Sequence, residues 1–373
     1  MSAGEVQSGP IAVYGATGYT GKLIAAELAR SGLDFVLAGR NHSKLEALSA
    51  ELGIDVPLHA LGTGDAAGLR ELFSGCSAVI ACAGPFYLHG EPILAAAVDT
   101  GTHYLDTTGE QPFIRMALDE YGPRAAENGS AVMSGMGFDY VPGDMLASLV
   151  ADGMGDLDTL RLAYATKFQP TRGTMLSALE MIKGNDVEWR NGGLVTSSPS
   201  ISRGKFDFGG GIGEKSMTRY PAGEHITVPR HVKTRRVETM LSADSVTPSP
   251  LVKLTPAIMR PAAAAMRTPL KGLLSKVVDR LPEGADPEAR AAATWTVGCE
   301  AVSGSRVRRG TISGNDVYGL TAALLVKGAA FAATGKLKSS GGLAPAQAFD
   351  PAEFLDGLDR FSVEWSLEPV PVN

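Results

Sequence analysis

Cysteine is scarce in this chain. Only Cys76, Cys82 and Cys299 occur in 373 residues, at spacings that make neither a metal motif nor a disulfide framework. A cysteine-stapled secreted scaffold and a structural zinc fold are thereby set aside, and no metal is expected. Cys82, inside the apolar run Ala78-Val-Ile-Ala-Cys-Ala83, reads as a small core residue rather than a nucleophile. No apolar run reaches the length of a membrane span free of charge. The N-terminus lacks the charged start and apolar centre of a signal peptide, so a reducing cytoplasm is the expected compartment. The formal net charge is −6, and no lysine or arginine block accompanies a nucleic-acid motif, so no nucleic-acid partner is expected. GxSxG, HExxH and a Tyr-xxx-Lys pair behind a strand are also missing, which removes support from hydrolase, zinc-peptidase and ordinary short-chain dehydrogenase chemistry.

What is present begins with Ile11-Ala-Val-Tyr-Gly-Ala-Thr-Gly-Tyr-Thr-Gly-Lys-Leu-Ile24. An apolar strand breaks into three evenly spaced glycines and resumes with helical periodicity, the pattern of a nucleotide-binding strand-turn-helix. Gly15 allows the chain to turn off the strand, Gly18 leaves room for a pyrophosphate, and Gly21 lets the helix pack on the sheet. The helix N-terminus adds free N–H groups and partial positive charge. The spacing is GxxGxxG, a variant of the commoner GxGxxG. A second strand over 34–38 runs into Gly39-Arg40-Asn41-His42-Ser43-Lys44. An NAD-binding protein places a carboxylate there for the ribose hydroxyls. Arg40 instead offers a planar guanidinium suited to the 2′-phosphate of NADP, which a carboxylate would repel.

At 44% hydrophobic and 20% charged residues, the chain has enough apolar material for two domains. Helices are expected over 21–31, 43–52, 66–73, 92–100 and 113–128, alternating with strands over 57–60, 78–83, 103–106 and 130–133. The alternation specifies a parallel, doubly wound Rossmann sheet over residues 1–145. Ligands of such sheets sit at the carboxyl ends of the strands, which draws attention to Ala83-Gly-Pro-Phe86, Asp106-Thr-Thr-Gly-Glu110 and the segment 135–144. The alternation then stops. Strands over 159–165, 223–228, 231–238 and 306–312 with a helix over 173–183 predict a second α+β domain, 146–315, on a mostly antiparallel sheet. Residues 192–213 read as a flexible glycine-rich loop. A helix over 316–334 and the segment 341–358 are expected to return the remainder, 316–373, to the nucleotide domain.

With Val13-Tyr-Gly-Ala-Thr-Gly-Tyr-Thr-Gly21, Ala38-Gly-Arg-Asn41, Ala83-Gly-Pro-Phe86, Tyr104-Leu-Asp-Thr-Thr-Gly-Glu110 and Gly137-Phe-Asp-Tyr-Val-Pro-Gly-Asp144 in view, the chain resembles the saccharopine dehydrogenase-like oxidoreductases. It is most similar to the branch containing the trans-acting enoyl reductases of polyketide lipid synthesis. The resemblance implies an NADP-binding Rossmann domain, an inserted substrate and dimer domain, and a returning C-terminal helix. It matches Gly15, Thr17, Gly18, Tyr19 and Thr20 to the pyrophosphate loop. Arg40, after Gly39, matches the 2′-phosphate contact with Lys44 as a second one, and Ala83, Gly84, Pro85 and Phe86 match the loop over the nicotinamide ribose. The amino-acid-binding arginines of true saccharopine dehydrogenases are not recognisable.

Hydride transfer asks the protein to position the acceptor, exclude water and manage a proton. Candidates for the proton are Tyr140, Glu110, Asp139 and Thr174. Tyr140 competes with a reading in which its hydroxyl is bonded to backbone, and Asp106 and Glu110 with one in which they organise their loop by accepting backbone N–H bonds. Residues 251–281 carry six basic side chains among apolar ones. Two ordinary helices covering the second sheet are favoured there over a stretch lying on an anionic membrane or gating an apolar pocket. The reading is an NADPH-dependent reductase of an enoyl C=C in a hydrophobic acyl or polyketide metabolite, acting as a homodimer. An imine C=N, a saccharopine dehydrogenase-like amino-acid substrate, or an NADP-binding sensor without turnover are the alternatives.

Overall fold

The computed structural model describes residues 8–167, 170–173, 175, 186–197, 202–246 and 283–370. They divide into two compact units, one formed by the chain up to Val141 with Tyr318–Phe354, the other by Pro142–Val317 with the chain from Leu355.

The first unit is built on β1 (Ile11–Tyr14), β2 (Phe35–Gly39), β3 (Leu58–Ala60), β4 (Ala78–Ala81), β5 (His103–Asp106), β6 (Ala131–Met133) and a two-residue strand at Gly341–Gly342. Every position of β1, β2, β4 and β5 is buried. Such continuous burial, rather than alternation, belongs to a sheet covered by helices on both faces. All pairings are parallel, and the order is β3-β2-β1-β4-β5-β6 followed by Gly341–Gly342. The order reverses between β1 and β4, which opens a crevice beyond their carboxyl ends.

The connecting helices are α1 (Tyr19–Ser31), α2 (His42–Leu52), α3 (Ala66–Ser74), α4 (Phe86–His89), α5 (Glu91–Asp99), α6 (Gln111–Met116) and α7 (Gly122–Glu127). The four-residue α4 was not legible in the sequence, where a helix was expected only from Pro92. The helix expected over 113–128 contains a π turn at Ala117–Tyr121. Pro123 follows it and lacks the N–H that would close a regular turn, which is where a one-residue widening relieves the ladder. The returning helix spans Val317–Ala333.

The second unit begins in α8 (Val141–Ala151) and contains β7 (Thr159–Thr166), β8 (Val187–Arg190), β9 (Gly193–Thr196), β10 (Ser202–Asp207), β11 (Glu214–Arg219), β12 (Val237–Ser242), β13 (Thr294–Ser303) and β14 (Arg306–Asn315). With Gly341–Gly342 counted as β15, the strand Glu364–Leu367 is β16. The sheet order is β10-β11-β12-β7-β13-β14-β16, antiparallel except for the parallel pair β12 and β7. Across it runs a row of directly opposed charges. Arg161 pairs with Glu238 at 2.9 Å and Glu300 at 3.0 Å, and Arg309 pairs with Glu300 at 2.7 Å. Farther along the same face, Ala163 and Gly298 are small enough for Phe206 and Phe208 to pack on them with Met217 and Met240.

Several sequence expectations differ from the structure here. Residues 223–228 form no strand: Glu224–Thr227 is a helix continued by the 3₁₀ turn Val228–Arg230. All of Glu224–Thr227 is buried, so periodicity could not separate strand from helix, and Pro229 has no donor for a ladder. Of 231–238, only Val237 and Glu238 enter a strand. Residues 192–213 are not one loop but contain β9 and β10, and the glycine-rich part reduces to a turn closed by Phe208 N–H on the Gly213 carbonyl at 3.2 Å. The C-terminal segment divides between the units: β16 pairs with β14 in the second sheet rather than returning with residues 318–354 to the first. Thr174, most of 173–183 and all of 251–281 lie outside the described residues. No helix among the described residues is long and apolar enough to cross a membrane.

Candidate active site

At the end of β1, Gly15 turns the chain at φ +85°, with its N–H donated to the Ala38 carbonyl at 2.9 Å. That left-handed conformation favours glycine. Gly18 caps α1 in extended backbone and, being glycine, puts no side chain over the start of the helix. A Cβ on Gly21 would fall 2.4 Å from the Gly15 carbonyl oxygen and 2.8 Å from Ala16 Cα, so α1 sits directly on the turn. A Cβ on Gly18 would meet nothing nearer than 3.5 Å. The three glycines thus serve a backward turn, an open approach and a close helix contact. A Cβ on Gly15 would lie 3.0 Å from Ala83 N, which places the loop after β4 against the turn. A helix N-terminus capped by glycine beside open space is an anion-binding arrangement.

Arg40 follows the last residue of β2. It is exposed and makes no ion pair among the described residues. Its charge reaches the Tyr14 hydroxyl: burial raises the Tyr14 pKa and Arg40 works against that rise. That hydroxyl donates to the Leu61 carbonyl at 3.0 Å, just beyond β3. Asn41 Oδ1 accepts the Lys44 N–H at 3.0 Å and caps α2, so Lys44 lies on the first turn of the helix that Arg40 precedes.

The loop Ala83-Gly84-Pro85, with a cis Gly84–Pro85 peptide, leads into α4. Glu110, buried, accepts the Phe86 N–H at 2.9 Å on Oε1 and the Tyr87 N–H at 2.8 Å on Oε2. Its two oxygens hold the start of α4 in place, a positioning role. Asp106 is also buried and accepts from Thr108 N and Gly135 N, each at 2.9 Å, and from Ser134 Oγ at 2.8 Å. Burial pushes its carboxyl up to about 6 against the lowering effect of those bonds. Asp106 thus ties the loop after β5 to the loop after β6. Burial, with the Asp106 charge second, holds the Cys82 thiol up at about 12, so it stays protonated.

Tyr140 is buried between Gly109 and Gly135 and donates its hydroxyl to the Gly109 carbonyl at 2.8 Å. The backbone-bonded arrangement is the one observed. Asp139 precedes it through a cis peptide and is half-buried. Two contributors from the returning helix were not singled out in the sequence. Thr321 Oγ1 accepts the Phe138 N–H at 3.0 Å, and the Tyr318 ring meets Tyr19 edge-on with centroids 5.3 Å apart. Some 180 residues separate Phe138 from Thr321, and no local pattern announces the pairing.

Within the second unit, a polar cluster joins residues between 14 and 87 positions apart in sequence. Asp144 Oδ2 lies 3.0 Å from His231 Nε2, and Tyr164 donates to Glu224. His225 accepts the Trp189 N–H on Nδ1 at 3.2 Å and lies 2.8 Å from Thr239 Oγ1 through Nε2. Only Asp144 of this cluster fell within a motif read from the sequence.

Residues 11–133 match the family model of the saccharopine dehydrogenase NADP binding domain. A putative trans-acting enoyl reductase of Mycobacterium tuberculosis is 35% identical over 193 residues, 48% of this chain and 46% of the relative. A trans-acting enoyl reductase of Mycobacterium bovis is 36% identical over 157 residues, 39% of this chain and 38% of that protein. The chain thus aligns with less than half the length of these relatives. Saccharopine dehydrogenase (L-Glu forming) from Saccharomyces cerevisiae has the same fold, with a TM-score of 0.64 at 12% identity over 97% of this chain and 100% of that one. Residues 11–133 of the first unit are thus similar to a saccharopine dehydrogenase NADP binding domain, and the chain as a whole shares the saccharopine dehydrogenase fold.

Proposed function

We propose that the protein is an NADPH-dependent reductase of an activated enoyl C=C in a hydrophobic acyl or polyketide intermediate. The observation that carries the reading is the carboxyl edge of the parallel sheet: a helix N-terminus capped by Gly18 with open space at that residue, and an exposed Arg40 beyond β2. The likeness to proteins named trans-acting enoyl reductases supports the choice of acceptor.

Bound NADPH would supply the hydride. The turn through Gly15, Thr17, Gly18, Tyr19 and Thr20 would hold the pyrophosphate, Arg40 with Lys44 the 2′-phosphate, and Ala83 to Phe86 the nicotinamide ribose. Glu110 serves by fixing the last of these loops. Tyr140 spends its hydroxyl proton on Gly109, which leaves half-buried Asp139 the better placed of the two to exchange a proton with solvent. We further infer a homodimer assembled through the second unit, whose sheet ends in β10 and β16 with Trp365 of β16 exposed.

The test is NADPH oxidation followed by nicotinamide absorbance against trans-2-enoyl-pantetheines and, separately, cyclic imines. Turnover of the enoyl series supports the reading. Turnover of imines alone moves the acceptor to C=N, and tight NADPH binding with turnover of neither makes the protein a sensor.

A further inference from the structure

Six large apolar side chains are exposed among the described residues: Tyr87, Leu88, Val195, Ile212, Trp365 and Val370. Four belong to the second unit. The two in the first unit are neighbours in sequence and the most exposed of the six, Tyr87 at 65% and Leu88 at 55%. Both stand on α4, immediately after the Ala83-Gly84-Pro85 loop that rests against Gly15 at the crevice of the sheet.

α4 is fixed from two sides. Beneath it Phe86 is buried against Phe113, with ring centroids 5.6 Å apart. In front, Glu110 takes the N–H groups of Phe86 and Tyr87. A buried carboxylate with both oxygens committed to this one turn presents Tyr87 and Leu88 to solvent by construction rather than by fraying. Scattered exposed apolar residues are ordinary on protein surfaces, but an adjacent pair held rigidly at the mouth of a ligand crevice marks a contact surface.

Resting on the reductase reading, we propose that Tyr87 and Leu88 form the apolar seat for the chain of the substrate and set its length preference. The occupant is an acyl chain because the seat adjoins the loop beside which the reacting carbons would lie, and because neither side chain brings a charge to it. Removing either side chain costs binding in proportion to the length of chain that reaches it. Short chains lose nothing.

The test uses butanoyl-, octanoyl- and dodecanoyl-pantetheine, saturated thioesters that bind without reacting, titrated by calorimetry into the NADP-loaded protein. Tyr87→Ser and Leu88→Ser are expected to weaken dodecanoyl-pantetheine about tenfold each, with butanoyl-pantetheine and NADP affinity unchanged. Tyr87→Phe and Leu88→Met should retain the parental length dependence. Losses equal at every chain length, no loss at all, or a parent that binds none of the three thioesters would overturn the proposal. Length-dependent binding in a protein that oxidises no NADPH supports the seat and overturns the reductase reading. NADPH oxidation whose KM ignores both serine substitutions at every length does the reverse.

Discussion

Replacing Arg40 with alanine isolates the proposed choice of NADP over NAD. The side chain is exposed and makes no ion pair among the described residues, so its loss should change folding stability by no more than about 0.5 kcal/mol. A hydrogen bond from a guanidinium to a phosphate contributes about 1.5–3 kcal/mol. Arg40 stands in solvent, where salt screens charges beyond about 8 Å at physiological ionic strength, so the lower end applies. About 1.4 kcal/mol is one factor of ten in affinity. Titrating NADPH and NADH by nicotinamide fluorescence, Arg40→Ala should weaken NADPH about tenfold and leave NADH unchanged, and the gap should narrow as salt is raised. Lys44→Ala, one helical turn away, should act in the same direction with smaller effect. Equal losses for the two cofactors in Arg40→Ala, or parental affinities that do not differ between them, would refute the assignment of this residue to the 2′-phosphate.

Gly18→Val should fold, since the position is extended and a Cβ finds open space, yet lose NADPH binding; parental affinity in the purified variant would show the turn to be misassigned. Gly21→Ala should instead destabilise the fold by about 1–3 kcal/mol in denaturant melts, because its Cβ would strike the backbone of Gly15 and Ala16, and an unchanged midpoint would contradict that contact. Burial holds the His103 imidazole down at about 4, so between about pH 4 and 6.5 the unfolded chain binds a proton the folded one does not, and this group makes stability rise with pH. Asp106, lifted to about 6, has the opposite sign over about pH 3.8 to 6, and the two largely offset. The stability difference between parent and His103→Gln should therefore grow by about 3 kcal/mol from pH 4 to 6.5, and a difference independent of pH would dismiss the buried neutral histidine. Light scattering should give twice the 38.8 kDa of one chain, and a mass of one chain across the micromolar range would dismiss the dimer while leaving the reductase reading standing.

Much of the first unit could be read from the sequence because its determinants are local. A strand buried on both faces must be continuously apolar, a turn at positive φ selects glycine at position 15, and a helix seated on that turn selects glycine at 21. Each requirement leaves its mark within a few residues, and β5 (His103–Asp106) falls where the alternation of strands and helices placed it. The same locality exposed Arg40, since the end of the second strand in such a sheet is a fixed distance along the chain from the glycine turn. The second unit was read less well because its residues answer to distant partners. Glu224–Thr227 is buried throughout, a pattern that helix and strand share, and Gly298 is small because Phe206 lies over it. The site divides along the same line. Sequence supplied Glu110 and Tyr140 as candidate acids, and only the fold decided their present roles. One carboxylate is committed to the backbone of α4, one hydroxyl to the Gly109 carbonyl, and Thr321 arrives from the far end of the chain to hold Phe138. Local backbone preference and burial are written into neighbouring residues, whereas the partner of a polar side chain is set by which strands and helices the whole chain brings together.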